Sequence, residues 1–258
     1  MSRTCEIRII PVQFQGEIAS GDDLAEKLAA ALRHQKLELI AGDILVVKHK
    51  IVSKAEGQIV RLDNVKPSSV ADSWARRSGT DPRVVQLAFS ESKRIVRQKT
   101  IRKQKGVLIT QTRHGFVCAN SGVDVSNVDG GKSAVLLPKD PDVSATKLRS
   151  RVKKHCGVDV AVIISDSFGR PWREGLTEVA IGVAGMKPLI DYRGRKDAQG
   201  YKLHATAEAV ADEIACAAGL VCGKLNRTPV CVVRGFPVHS GRGSARELVR
   251  PAKNDLFR

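Results

Sequence analysis

The sequence has no apolar run long enough to cross a bilayer. Runs such as residues 160–164 and 230–233 fall far short of the ~20 residues a spanning helix needs. Residues 1–10 lack a basic segment followed by a sustained apolar stretch and a small-residue cleavage site, so no secretory leader is expected and a cytoplasmic location follows. The six cysteines, at positions 5, 118, 156, 216, 222 and 231, include no CxxC pair and no Cys/His spacing of a zinc site. Small apolar neighbours around Cys118, Cys216 and Cys231 predict reduced, packed thiols. Aromatics are scarce at 4%, but 42% hydrophobic and 27% charged residues exclude a fibrous or disordered chain. No internal repeat, low-complexity linker or composition break marks a domain boundary, so one domain over residues 1–258 is expected.

The familiar nucleotide fingerprints are also missing. Gly131-Lys132-Ser133 ends like a phosphate-binding P-loop, but Ser126 stands where its first glycine is required. Gly241-Arg242-Gly243 lacks the third glycine of a dinucleotide fingerprint, and no strand plainly precedes it. Any nucleotide site must therefore be built differently.

What is abundant is positive charge: 43 Lys and Arg against 27 Asp and Glu. That excess attracts nucleic acid, an anionic surface or a polyanionic small molecule, and charge alone does not choose among them. The densest run, residues 93–105, lacks the aromatic interleaving of a base-stacking platform; a solvated helix face and an anion-capturing segment both remain open for it.

Periodicity gives a mixed α and β chain. Ser20 and Asp23 fit a capping box ahead of a helix over residues 24–32, and residues 43–47 read as a buried strand with His49, Lys50 and Lys54 at its exit. Helices are predicted over 69–77, 82–94, 144–155 and 206–222, and strands over 107–112, 116–119, 134–137, 158–164 and 230–233. The strand at 158–164 is almost continuously apolar and delivers Ser165-Asp166-Ser167 to its carboxyl end, a usual place for ligand-binding groups. The chain after Gly241 reads as polar and mobile.

Asp124 and Asp166 are carboxylates in polar segments directly after apolar ones. With Ser167 they offer the oxygen set that Mg2+ or Mn2+ prefers, although loop aspartates more often cap helices or shape turns. Gly169-Arg170-Pro171-Trp172-Arg173 sets two guanidinium groups around a rigid turn, suited to gripping carboxylate or phosphate or, equally, to pairing on the surface with Glu174 or Glu178. The basic turn at residues 191–197 carries the same two readings. Lys50 and Lys54 suit phosphates, and Asn127 suits a polar edge of base or sugar. Asp212 and Glu213 read as the solvated stripe of a helix in preference to catalytic groups.

Taken together, Gly21-Asp22-Asp23-Leu24, the segment Lys50-Ile51-Val52-Ser53-Lys54-Ala55-Glu56-Gly57, His114-Gly115-Phe116-Val117 and Gly122-Val123-Asp124-Val125-Ser126-Asn127 resemble the coenzyme F420-0 gamma-glutamyl ligase family, often called CofE. The most specific stretch follows, with Asp166-Ser167-Phe168-Gly169-Arg170-Pro171-Trp172-Arg173, Ala180-Ile181-Gly182-Val183-Ala184-Gly185 and Asp191-Tyr192-Arg193-Gly194 in the family's order and spacing. The resemblance implies a mixed α/β ligase fold that is neither P-loop nor Rossmann, with protomers intertwined as a homodimer. It implies GTP-dependent addition of L-glutamate to coenzyme F420-0, and further glutamates, through an acyl phosphate with release of GDP and phosphate. Mg2+ or Mn2+ would be required, two per site, with K+ as a further candidate.

Carried over by motif, Asp124 and Asp166 look like ligands of one metal, Ser167 a ligand of the second and Asn127 a GTP contact. His49, Lys50 and Lys54 fall in the implied nucleotide site, approached by the loops Gln15-Gly16-Glu17-Ile18 and Cys222-Gly223-Lys224-Leu225-Asn226. Arg170 and Arg173 are candidates for substrate or phosphate clamping. The sequence departs from the family pattern twice: residues 14–18 lack a Gly-Ile-Pro-like sequence, and Lys224 stands where an oxygen-bearing metal ligand is expected. The chain also ends before the nitroreductase-like domain fused to some relatives, so no flavin is expected. The alternatives are an amide ligase acting on another carboxylate, or an RNA-binding relative without catalysis; the favoured reading involves neither nucleic acid nor membrane.

Overall fold

A computed structural model describes residues 6–100, 106–126 and 128–255. In chain order the strands and helices are β1 (Arg8–Val12), α1 (Leu24–His34), β2 (Ile44–Lys48), α2 (His49–Ala55), β3 (Ile59–Arg61), α3 (Ser69–Ser78), α4 (Pro82–Ser90), β4 (Ser92–Lys99), β5 (Val107–Thr112) and β6 (Val117–Ala119). They continue with β7 (Ser133–Val135), α5 (Pro141–Cys156), β8 (Ala161–Arg170), β9 (Arg173–Ala184), β10 (Ile190–Asp191), β11 (Ala207–Glu208), α6 (Val210–Cys222) and β12 (Val230–Arg234). The architecture is mixed α/β, as the periodicity predicts.

The central sheet runs β1-β12-β2-β8-β9. Its core strands are the most apolar in the sequence, and residues 44–47 and 161–164 are buried throughout. β2 and β8 pair in parallel, with Lys48 opposite Ser165; the other pairings in this sheet are antiparallel. α5 packs on β8 and β9 and against α1, while α6 packs on β9, β12 and β1. Gly182 makes the α5 contact possible, because a Cβ there would meet the Pro141 carbonyl oxygen at 2.3 Å. A second apolar cluster, including Leu62, Trp74, Val85, Leu108 and Leu136, gathers α3, α4, β5 and the β3–β7 ribbon.

Several expectations are corrected. Residues 92–94 begin β4 and do not extend the preceding helix; α4 stops at Ser90, and β4 is an exposed strand at one edge of the β4-β5-β6 sheet. The strand predicted to end before Ser165 continues to Arg170, because β9 supplies backbone partners along its whole length. Asp23, not Ser20, caps α1, accepting from the Ala25 and Glu26 amides. The segment after Gly241 is anchored: Ala245 is fully buried, and Asp142 accepts from Val183 N, Ala245 N and Ser244 Oγ. Residues 101–105 of the basic run lie outside the described residues.

Asp212 is not on a solvated stripe either. It is partly buried in α6, and its Oδ1 accepts from Ala180 N at 2.8 Å, beside the irregular register of β8 and β9. Burial raises its pKa against the lowering effect of that amide. The folded state thus favours the protonated form, so this group's contribution to stability is full below the unfolded carboxylate range and is lost as pH rises through the raised folded value. Asp212→Asn keeps an acceptor and removes the buried charge, so its denaturation midpoint at pH 7 should match or exceed that of the parent. Asp212→Ala strands the Ala180 amide and should cost ~1–3 kcal/mol in urea titration.

Candidate active site

The site forms where β2 ends. The chain passes from Lys48 directly into α2, so three consecutive residues, Lys48, His49 and Lys50, point their side chains at three different carboxylates. The parallel neighbour β8 brings Asp166 and Ser167 past the same end. His49 is buried, with Nε2 3.2 Å from Asp166 Oδ1 and Nδ1 3.4 Å from Ser53 Oγ. Lys50 Nζ lies 2.7 Å from Asp124 Oδ2 and donates to Ser126 Oγ at 2.8 Å. Asp124 is pinned beside β7 by a two-way backbone bridge to Val135, and its carboxylate also accepts from Ser126 N at 2.7 Å. Burial pulls the Asp124 pKa up, but Lys50 and Ser126 outweigh it and hold the carboxyl below its ordinary value. Cys118 on β6 is pushed up to about 12 by burial and by the Asp166 charge, so it stays a neutral thiol.

Beside this pair lies a second ionic cluster. Glu178 of β9, opposite Ser167, is 5% exposed. Its carboxylate meets Lys48 Nζ at 2.6 Å, Ser165 Oγ at 3.0 Å, Ser167 Oγ at 2.6 Å and Lys224 Nζ at 3.4 Å. Lys224 Nζ also donates to Ser167 Oγ. Burial raises the Glu178 pKa, but the Lys48 and Ser167 hydrogen bonds and the Lys48 and Lys224 charges overcome it and leave the group below its ordinary value. The sequence reading missed Lys48 and offered Glu178 only as a surface partner for the Arg170–Arg173 turn. The available signal was an acid within the strand Glu178-Val179-Ala180-Ile181, which needs a cation once buried.

Around the end of β2 the structure pairs His49 with Asp166, Lys50 with Asp124 and Lys224 with Ser167. Lys54 joins the Gln15–Ile18 loop through Glu17 Oε2 at 3.3 Å, and Gln15 contacts His34 across 3.1 Å. Gly16 takes a positive φ of 77° in that loop. Ile18 and Cys222 are core side chains, so only their backbone can face a ligand; Leu225 is exposed, and Gly223 turns the chain out of α6 with Asn226 folded back over it. Arg170 and Arg173 pair across the tip of the β8–β9 hairpin, about 13 Å from Asp166 at 3.3 Å per residue. Arg170 Nη2 donates to the Glu174 carbonyl at 3.0 Å. Asn127 lies outside the described residues.

Among the described residues no three His, Cys, Asp or Glu side chains converge as a complete protein metal cage. Mg2+ and Mn2+ do not need one, since one or two carboxylates plus phosphate oxygens and water suffice. Asp124 and Asp166 fit that description, and Asp124 is 38% exposed and therefore reachable. The Ser167 side of the site does not fit a second divalent ion: an ammonium already contacts its hydroxyl, and Glu178 is neutralised by lysines.

A model of the F420-0:gamma-glutamyl ligase family matches residues 15–235. A coenzyme F420:L-glutamate ligase of Methanothermobacter thermautotrophicus is 44% identical over 98% of this chain and 99% of its own. The enzyme of the same name from Methanopyrus kandleri is 43% identical over 98% of each chain, and that from Methanocaldococcus jannaschii is 45% identical over 84% of this chain and 85% of its own. The chain belongs to the F420-0:gamma-glutamyl ligase family.

Proposed function

We propose that this chain is a GTP-dependent coenzyme F420-0:L-glutamate ligase. The observation that carries the reading is the gathering of Asp124 and Asp166 with Lys50 and His49 at the β2–α2 junction, in a chain of this family. A carboxylate oxygen of the acceptor attacks the γ-phosphorus of GTP, and GDP leaves with the bridging oxygen. The glutamate amine then attacks the acyl carbon, the amide forms, phosphate departs and the nitrogen gives up its proton. Repetition on the new terminus would extend the tail.

Both steps move negative charge between phosphate and acyl oxygens, so the site must hold anions and neutralise them. Asp124 and Asp166 would hold Mg2+ or Mn2+, which when bound supplies charge neutralisation to the phosphates. Lys50 would meet phosphate oxygens as a point charge once its partner Asp124 turns to the metal, and Lys54, which holds Glu17 of the Gln15–Ile18 loop, would add a second positive charge. His49 fixes the Asp166 carboxylate from a buried position. The Gln15–Ile18 and Cys222–Asn226 loops and Asn127 complete the nucleotide site in this reading, and Arg170 and Arg173 reach the distal, anionic part of the acceptor. The reading also includes a homodimer, whose interface would cover exposed Trp172, Leu176 and Leu220. No helix among the described residues is long and apolar enough to cross a membrane.

Carboxylate-labelled acceptor tests the chemistry. With 18O in its terminal carboxylate, one labelled oxygen per turnover should appear in inorganic phosphate, and GDP should accumulate in step with amide. Unlabelled phosphate would exclude the acyl phosphate. A nucleoside monophosphate and pyrophosphate as products would exclude γ-transfer altogether.

A further inference from the structure

The Ser167 side of the site is occupied by the protein's own positive charge. Lys224 leaves α6 just past Gly223 and reaches across to β8 and β9, where its ammonium donates to Ser167 Oγ and lies 3.4 Å from Glu178 Oε1. Ser167 in turn donates its hydroxyl hydrogen to Glu178 at 2.6 Å, which spends its proton on the carboxylate and one lone pair on the lysine. Glu178 also holds Lys48 at 2.6 Å. The cluster of Glu178, Lys48 and Lys224 therefore carries no surplus negative charge to attract a divalent ion, and an ion on Ser167 Oγ would sit at contact distance from an ammonium.

We propose that Lys224 replaces the second divalent cation on this side, so that the chain binds one Mg2+ or Mn2+ per site and supplies the other positive charge from a tethered side chain. The inference rests on the ligase reading for the location of the phosphates. Lys224 is suited to the role because its side chain is 62% exposed: the stem is free to swing from Ser167 to an incoming phosphate oxygen without disturbing the core. The charge would then be supplied independently of metal concentration.

The test is metal stoichiometry on the whole purified protein, read from the electron paramagnetic resonance of free Mn2+ during titration, with and without GDP. Parent protein should bind one Mn2+ per chain. Lys224→Gln, which puts an amide oxygen near Ser167 and removes the ammonium, should bind two; Lys224→Arg, which keeps the charge, should bind one. Adding Ser167→Ala to Lys224→Gln should return the count to one. Melting temperatures, expected near the parent's for the single Lys224 variants because Lys224 is exposed and somewhat lower with Ser167→Ala, which removes a donor to Glu178, establish that the counts come from folded protein. Two Mn2+ on the parent, or no gain on Lys224→Gln, overturns the proposal. No Mn2+ on the parent with one on Lys224→Gln would uphold the role of Lys224 while refuting the Asp124–Asp166 site, so the two readings fail separately.

Discussion

Glu178→Ala should lower stability by about 3–5 kcal/mol, the cost of leaving a buried charge without its partner. The side chain is 6% exposed, and the Lys48 ammonium it neutralises is only 19% exposed. Alanine would strand that ammonium together with the hydroxyls of Ser165 and Ser167. For a chain of this length a loss of that size lowers Tm by roughly 10 °C, which differential scanning calorimetry resolves. Glu178→Gln keeps an acceptor for the serines and should fall between parent and alanine. Removing both charges together, with Glu178→Gln and Lys48→Met, should recover much of the loss, because the penalty comes from the unpaired ion and not from the absence of a salt bridge. If Glu178→Ala unfolds at the parent's temperature, the ionic cluster is not structural.

Asp166→Asn should abolish glutamyl transfer while leaving the fold intact. The substitution is close to isosteric and preserves an oxygen for the Ser167 amide, which Asp166 Oδ1 accepts at 2.7 Å. It removes the charge that faces His49 and that would hold the metal in the proposed reading. Neutralisation of phosphoryl charge by a bound ion is worth several kcal/mol, so turnover should drop by about three orders of magnitude or more, measured as GDP release. Mn2+ affinity should fall in parallel. A variant that loses activity but retains parental Mn2+ binding would assign Asp166 a role other than metal ligation.

The sequence was legible where burial dictates composition. The continuous apolar run before Ser165 marks the first half of β8, and the Ala-rich segment marks α6. It was opaque where partners, and not composition, decide structure. Residues 165–170 contain no apolar run and become strand because β9 hydrogen-bonds to them. β4 is almost wholly exposed and basic, so its residues carry neither helical nor strand periodicity; pairing with β5 makes them a strand. Lys48 and Glu178 are 130 positions apart in sequence, and only the alignment of β2, β8 and β9 brings them together. Lys224 was marked as a departure from the family pattern, but that its ammonium lands on Ser167 and Glu178 depends on the turn at Gly223. Asp212 misled the helical reading because its half-buried environment comes from β9, not from α6.

The most direct test of the account is mass spectrometry of coenzyme F420-0 incubated with the purified protein, GTP, L-glutamate and Mg2+ or Mn2+, with Asp166→Asn as the control. The account predicts products heavier by one or more glutamyl units, formed with GDP and absent from the control. Unmodified F420-0 with folded protein, both metals and a range of pH would contradict it, and would direct attention to another carboxylate acceptor.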